Sequence, residues 1–167
     1  MKSKWAVVAM LAIIKAGAAF VPCDPSHPRS RLQSIFEQID ARVVLCCDSV
    51  EWMCLELLPH GQTIVVGEQS GFELLSEPSA VSSGVKPHNT LYICFTSGTS
   101  GTPKGTVITH QAYCSGARDH SKALLLERTS RFLQFASYTF DTSIEDILTT
   151  LISGGCLCIP SLSLIHI

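Results

Sequence analysis

Segments with helical and strand-like apolar patterns alternate along this chain, and this alternation is the feature that most constrains its fold. The clearest helix follows Phe140, because apolar residues recur there at helical spacing. They are Ile144, Ile147, Leu148, Leu151 and Ile152. Thr142 with Glu145 fits a capping box at the start of this helix, and Gly154 is expected to end it. Alternating elements of this kind predict an α/β fold, with helices flanking a layered, largely parallel sheet.

Shorter patterns predict the remaining elements. Further helices are expected over residues 5–14, 28–39, 49–58 and 109–126. Strands are expected at residues 20–21, 41–46, 63–66, 91–95, 131–136 and 156–159. The segment 67–89 is rich in Ser, Gly, Glu and Pro and is predicted to be a long surface connection.

Composition restricts the class of protein. A chain of 167 residues with 46% hydrophobic content and a net charge of −2 is typical of one globular domain. This charge provides no basic surface for nucleic acid and no strong attraction to a membrane. The eight cysteines contain no C-x-x-C pair, which argues against zinc, and we interpret them mostly as reduced core residues.

The N-terminal segment has two interpretations. Residues 1–19 imitate a secretory signal, which with the cysteines would indicate a small secreted protein. The alternative is an amphipathic core helix closed by Gly17, in a cytoplasmic protein. The apolar stretch is too short to span a bilayer as a helix, and we favour the core helix.

A loop rich in glycine and hydroxyl residues lies between two apolar stretches. It reads Phe95-Thr96-Ser97-Gly98-Thr99-Ser100-Gly101-Thr102-Pro103-Lys104-Gly105. Glycine permits close backbone approach to a ligand, hydroxyl and amide groups donate to anionic oxygens, and lysine adds positive charge. Such a loop is suited to a polyphosphate. The spacing fits neither the P-loop nor the dinucleotide fingerprint, and a surface loop without a ligand is the plain alternative.

The order of residues in this loop closely resembles the phosphate-binding signature of adenylate-forming enzymes. That superfamily includes acyl-CoA synthetases, luciferases and the adenylation domains of nonribosomal peptide synthetases. Two further segments resemble the adenylation domains in particular. They are Ile14-Lys15-Ala16-Gly17-Ala18-Ala19-Phe20-Val21-Pro22-Cys23-Asp24-Pro25-Ser26-His27-Pro28 and Phe140-Asp141-Thr142-Ser143-Ile144-Glu145-Asp146. The resemblance implies a partial N-terminal subdomain of the adenylate-forming fold over residues 1–160, followed by a non-matching tail at 161–167.

The resemblance also implies site residues. The β- and γ-phosphates of ATP would be bound by Thr96, Ser97, Gly98, Thr99, Ser100, Gly101, Thr102, Lys104 and Gly105. Asp141 would pair with the α-ammonium group of an amino-acid substrate, a group that acyl-CoA synthetase and luciferase substrates lack. Thr142 and Glu145 would line the side-chain pocket, although Glu145 fits the capping box equally. The motif's final glutamate is Asp146 here, which we expect in the first turn of the helix.

The implied reaction joins an amino acid to AMP from Mg²⁺-ATP and then passes it to the phosphopantetheine thiol of a separate carrier domain. Carrier and condensation domains of a larger synthetase of secondary metabolism would be the partners. The family's later motifs, including the magnesium-linked glutamate and the catalytic lysine, are absent from this sequence. We therefore expect a fragment with little or no activity alone. The alternatives are an acyl-CoA synthetase-like ligase, a non-catalytic remnant, and the secreted cysteine-containing protein.

Overall fold

The computed structural model describes residues 2–71, 84–97 and 102–160. Helices and strands both occur along the whole of these residues, as the sequence predicts, but they do not strictly alternate. The helices are α1 Lys4–Lys15, α2 Arg29–Gln38, α3 Glu51–Leu57, α4 His110–Ala123 and α5 Asp141–Ile152. The strands are β1 Val43–Cys46, β2 Gln62–Val65, β3 Thr90–Thr96, β4 Lys104–Thr109, β5 Arg131–Leu133 and β6 Cys156–Cys158. A 3₁₀ turn at Asp48–Val50 leads into α3.

Within the described ranges, the strands form three two-stranded sheets. Sheets β1–β2 and β5–β6 are parallel, whereas β3 and β4 are antiparallel neighbours. The strand predicted at residues 20–21 is reduced to one parallel bridge between Phe20 and Tyr92. The mixed α/β class is thus confirmed. Strand β4 was not predicted, because its first residues, Lys104 and Gly105, belong to types that strands disfavour.

Two apolar clusters form the core of the described structure. The larger joins α1, β3, α4 and α5, and its members are Val7, Met10, Phe20, Leu91, Tyr92, Cys94, Tyr113, Ala117, Ile144, Ile147 and Leu148. The smaller joins α2 to α3, and its members are Leu32, Ile35, Phe36, Met53 and Leu57. Phe95 of β3 packs against this second cluster. Strand β3 therefore contacts both cores, because successive side chains of a strand point to opposite faces.

Helix ends follow the predictions in three places. Gly17 and Gly154 end α1 and α5 with φ angles of +82° and +76°, in the left-handed region that favours glycine. In both cases the following amide donates to a carbonyl five residues earlier, which satisfies one of the last carbonyls of the helix. Thr109 caps α4 as expected, since its Oγ1 accepts from the backbone N–H of Ala112 at 3.2 Å.

The predicted capping box at α5 is wrong. The helix begins at Asp141, with Phe140 in the N-cap position and no side-chain cap bond. Thr142 consequently lies inside the first turn, where its side chain cannot act as the N-cap. Asp146 lies one turn further along than expected, beyond the first turn.

The N-terminal apolar segment is part of the core. Val7 and Met10 of α1 are buried in the larger cluster, as the core-helix interpretation requires. In residues 2–71, 84–97 and 102–160, no helix has the length and apolar character needed to cross a bilayer. All eight cysteines are free thiols, but only Cys54 and Cys94 are buried, so the prediction that most of them are core residues is wrong.

Candidate functional site

The glycine- and hydroxyl-rich loop connects two antiparallel strands. The last pair of the β3–β4 ladder joins Thr96 to Lys104, so both residues lie at the mouth of the loop. The side chains of Thr96, Ser97, Thr102 and Lys104 are exposed to solvent. The other predicted phosphate-binding residues lie outside the described residues; they are Gly98, Thr99, Ser100 and Gly101.

A strand, and not a helix, follows this loop. In P-loops and dinucleotide-binding folds the loop opens a helix, whose N-terminal amides and dipole attract phosphate. Here Lys104 begins β4, so no helix N-terminus follows the loop directly. Any attraction for phosphate must come from hydroxyls, loop amides and the Lys104 ammonium group. This agrees with the rejection of both motifs from their spacing.

Gly105 has a packing role in this hairpin. It is paired with Phe95 across the ladder. A Cβ atom added at Gly105 would lie 3.0 Å from both Cζ of Phe95 and Cγ2 of Ile93. Glycine therefore lets the Phe95 ring cover the start of β4 while that ring packs on the smaller core cluster. The predicted contact of Gly105 with phosphate stays a prediction.

Helix α5 places Asp141 near the strand that carries the loop. Burial and then the charge of Asp141 raise the pKa of the Cys94 thiol to about 11. Cys94 and Thr96 lie on the same face of β3, since they are two residues apart. Asp141 itself is exposed, and its Oδ1 accepts from the backbone N–H of Thr142 at 2.8 Å. The start of α5 and the loop end of β3 thus belong to one region of the molecule.

Glu145 faces α4. Its Oε2 lies 3.8 Å from Nδ1 of His120, and both side chains are partly exposed. Asp146, the next residue, is partly buried, and burial raises the pKa of its carboxyl group, which His120 opposes. The spacing of the sequence could not reveal the contact of Glu145 with His120, because it forms between two helices.

A buried polar network lies behind the start of α5. Gln134 and Ser143 have no exposed surface. The Gln134 side-chain amide donates to Ser143 Oγ at 2.9 Å and to the carbonyl oxygen of Ala136 at 2.6 Å. Sequence reasoning assigned these residues no role. The available signal was a glutamine inside the apolar run from Phe132 to Phe135.

A second buried contact joins α4 to α5. The hydroxyl groups of Tyr113 and Thr149 are 2.7 Å apart. The Tyr113 ring also meets Tyr92 of β3 edge-on, with ring centroids 6.5 Å apart. These contacts hold the interior of α5 against β3 and α4.

The described part of the chain contains no group of three or more His, Cys, Asp or Glu side chains that could hold a metal ion.

The family follows from a match over nearly the whole sequence. Residues 2–164 match the family described as AMP-binding enzyme, so the chain belongs to this family. It is 49% identical over 160 residues to the nonribosomal peptide synthetase ftmPS of Neosartorya fischeri. That alignment covers 96% of this chain and 7% of the synthetase. It is 47% identical to nonribosomal peptide synthetase 9 of Aspergillus fumigatus, over 96% of this chain and 14% of that protein.

Solved structures agree with this placement. The nonribosomal peptide synthetase FmoA3 with bound α-methyl-L-serine-AMP superposes with a TM-score of 0.78 and 25% identity, over 95% of this chain and 17% of that one. ATP-bound MatB from Rhodopseudomonas palustris gives a TM-score of 0.82 at 18% identity, over 96% of this chain and 33% of that one. The fold is therefore that of adenylate-forming enzymes, and the chain spans a small part of the relatives it matches.

Proposed function

We propose that this chain forms the ATP-phosphate and amino-acid-ammonium part of an amino-acid-activating domain of a nonribosomal peptide synthetase. One observation carries the proposal. Strand β3 ends in Thr96 at the loop, and Cys94, two residues earlier, lies within the electrostatic reach of Asp141. The proposed ammonium-binding carboxylate and the proposed phosphate-binding loop thereby belong to one region of the molecule, as an amino acid reacting with ATP requires.

The loop is the proposed phosphate site. The hydroxyls of Thr96, Ser97 and Thr102 are exposed at its ends, and so is the Lys104 side chain. When the amino-acid carboxylate attacks the α-phosphorus, the bond to the β-phosphate oxygen breaks and negative charge grows on departing pyrophosphate. Donors at the β- and γ-phosphates stabilise that charge, so they assist the reaction as well as binding.

Asp141 is the proposed ammonium site. Its carboxylate is exposed at the first residue of α5, where an incoming α-ammonium group can reach it. Binding of the amine removes water from both charges and pairs them, so a substrate without the amine would leave the carboxylate desolvated and unpaired. Thr142 and Glu145 are the proposed pocket-lining residues. Asp141 and Glu145 are one helical turn apart and share a face of α5.

The remaining parts of the reaction are proposed from the family. Mg²⁺ would enter with the ATP phosphates. The acyl acceptor would be the phosphopantetheine thiol of a carrier domain, with a condensation domain as a further partner in the synthetase. A cytoplasmic location is supported by the eight free thiols, which suit a reducing compartment.

Nucleotide binding by the 167-residue chain tests the phosphate site. Isothermal calorimetry with ATP and with pyrophosphate should show that Lys104→Ala weakens both affinities by about tenfold, which corresponds to loss of roughly 1.4 kcal/mol. Lys122→Ala is the matched control, because Lys122 is an exposed lysine that pairs with Asp119 on α4. Asp141→Asn should leave ATP affinity unchanged and weaken amino-acid binding. Equal ATP affinity of wild type and Lys104→Ala would contradict the proposal, as would the absence of any ATP binding.

A further inference from the structure

We propose that Gln134 is a positioning residue, which sets the start of α5, and with it Asp141, relative to the β5–β6 sheet. The importance of Asp141 rests on the proposed function, whereas the positioning itself does not. The Gln134 side chain is fully buried immediately after β5. Its Nε2 donates to the Ala136 carbonyl oxygen and to Ser143 Oγ. The Ala136 carbonyl can only accept, so the nitrogen end of the amide must face it.

These two hydrogen bonds span the turn that leads into α5. Phe135 and Phe140 of this turn are 68% and 64% exposed, whereas Tyr138 packs against the larger core cluster and donates from its hydroxyl to the Ser3 carbonyl at 3.2 Å. The backbone bonds of the turn are local: the Phe140 amide donates to the Ser137 carbonyl, and the Ser143 amide donates to the Phe140 carbonyl. Local bonds shape a turn but do not orient it against the sheet. The Gln134–Ser143 bond does, because it joins the end of β5 directly to the helix.

Gln134 is itself held from two other sides. Its backbone amide donates to the Cys158 carbonyl at 2.9 Å, which continues the pairing of β5 with β6. Lys2 donates from Nζ to the Gln134 carbonyl at 3.2 Å and also to the Phe135 carbonyl. The N-terminal segment, β6 and α5 therefore meet at this one residue. It provides a fixed reference for the first turn of α5.

The hydrogen bonds of Gln134 should affect the orientation of α5 more than the free energy of unfolding of the chain. Its Oε1 is buried and, among the described residues, has no hydrogen-bond partner. An unpaired buried acceptor costs free energy and offsets much of what the two amide donations contribute. A variant with an apolar side chain of similar length at position 134 should consequently have about the same free energy of unfolding. What it would lose is the connection between the β5 end and Ser143.

Hydrogen exchange on the 167-residue chain tests this, using Gln134→Met and Ser143→Ala. Both variants should speed exchange of the Phe140 and Ser143 amides by tenfold or more, while the amides of α5 beyond Leu148 and the urea unfolding midpoint stay near wild type. The double variant should match Gln134→Met, because that substitution already removes the bond to Ser143. Thr149→Val is the control, since it removes a buried hydrogen bond from the interior of the same helix.

Three outcomes would overturn the proposal. They are unchanged exchange at Phe140 and Ser143, acceleration of all α5 amides in step with a lower unfolding midpoint, and additive effects in the double variant. If Gln134→Met does not fold, a general structural role is indicated for Gln134, and Ser143→Ala alone still decides whether the bond orients the turn. The hydrogen-exchange measurement uses no ligand, so its result can be interpreted even if the adenylation proposal fails. Calorimetry of amino-acid binding on the same variants then connects the turn to Asp141.

Discussion

The two parts of the candidate site are held in different ways. The loop between β3 and β4 is fixed by its own hairpin, whose last pair is Thr96 with Lys104. The start of α5 is fixed by distant parts of the chain. The Gln134 carbonyl accepts a hydrogen bond from Lys2, and the Gln134 side-chain amide donates to Ser143. Local pairing is sufficient for a loop that is proposed to bind phosphate with exposed groups. A carboxylate that must meet one substrate group needs an orientation set by the whole fold.

Burial differs between these parts as well. The described loop residues Thr96, Ser97 and Thr102 are exposed, whereas Ile144 and Ile147 of α5 have no exposed surface. Changes in the loop should therefore alter binding more than folding. Changes in the buried face of α5 should alter the free energy of unfolding of the whole chain.

The largest expected effect comes from the buried face of α5. Ile147→Ala should lower the free energy of unfolding by about 3 kcal/mol, since it removes buried methylenes and leaves a cavity. Ile152→Ala is the matched control on the same helix, because Ile152 is 67% exposed. Guanidinium unfolding followed by circular dichroism measures both. Similar midpoints for the two variants would show that the buried face of α5 does not stabilise the chain.

An intermediate effect is expected at the base of the loop. Gly105→Ala should cost about 1–2 kcal/mol of unfolding free energy, because the new methyl group meets the Phe95 ring at 3.0 Å. Gly116→Ala makes the same chemical change in α4, where no atom lies within 4 Å of the added Cβ. It should stabilise by roughly 0.5–1 kcal/mol, since alanine favours helices. Urea unfolding compares them, and a stabilising Gly105→Ala would disprove the packing role.

The smallest expected effect concerns Asp146. Burial raises the pKa of its carboxyl group, and the negative charge of Glu145 raises that pKa further. The positive charges of His120 and Lys2 act to lower it. A raised pKa in the folded state contributes stability at pH values below the unfolded pKa, near 4, and this contribution is lost as the pH rises through the folded value. Asp146→Asn should therefore stabilise the chain at pH 7 by roughly 0.5 kcal/mol after allowance for solvent screening.

Urea unfolding between pH 3 and 7 measures this difference, which should shrink toward acid pH. Asp119→Asn is the control, because the Asp119 side chain is 84% exposed. A loss of stability in Asp146→Asn at pH 7 would show that the attraction of His120 and Lys2 exceeds the cost of burial.

Much of the fold was predictable, and the exceptions have physical causes. Apolar periodicity located α5, because Ile144, Ile147 and Leu148 recur at helical spacing and are buried. Strand β4 was missed, since the glycine that pairs with Phe95 lowers strand propensity while satisfying packing. The capping box at Thr142 was wrong because the N-cap of α5 is Phe140, two residues earlier, so the pattern matched a cap that the backbone does not use.

The sequence by itself determined the class of this protein and the nature of its loop. The loop residues are consecutive, so their chemistry can be read without knowing the fold, and they indicated the AMP-binding family that residues 2–164 match. Only the tertiary structure decided what surrounds Asp141. The contacts of Gln134 with Ser143 and Lys2, and of Glu145 with His120, join residues from separate elements. Spacing along a chain does not reveal such contacts, because packing of helices against strands creates them.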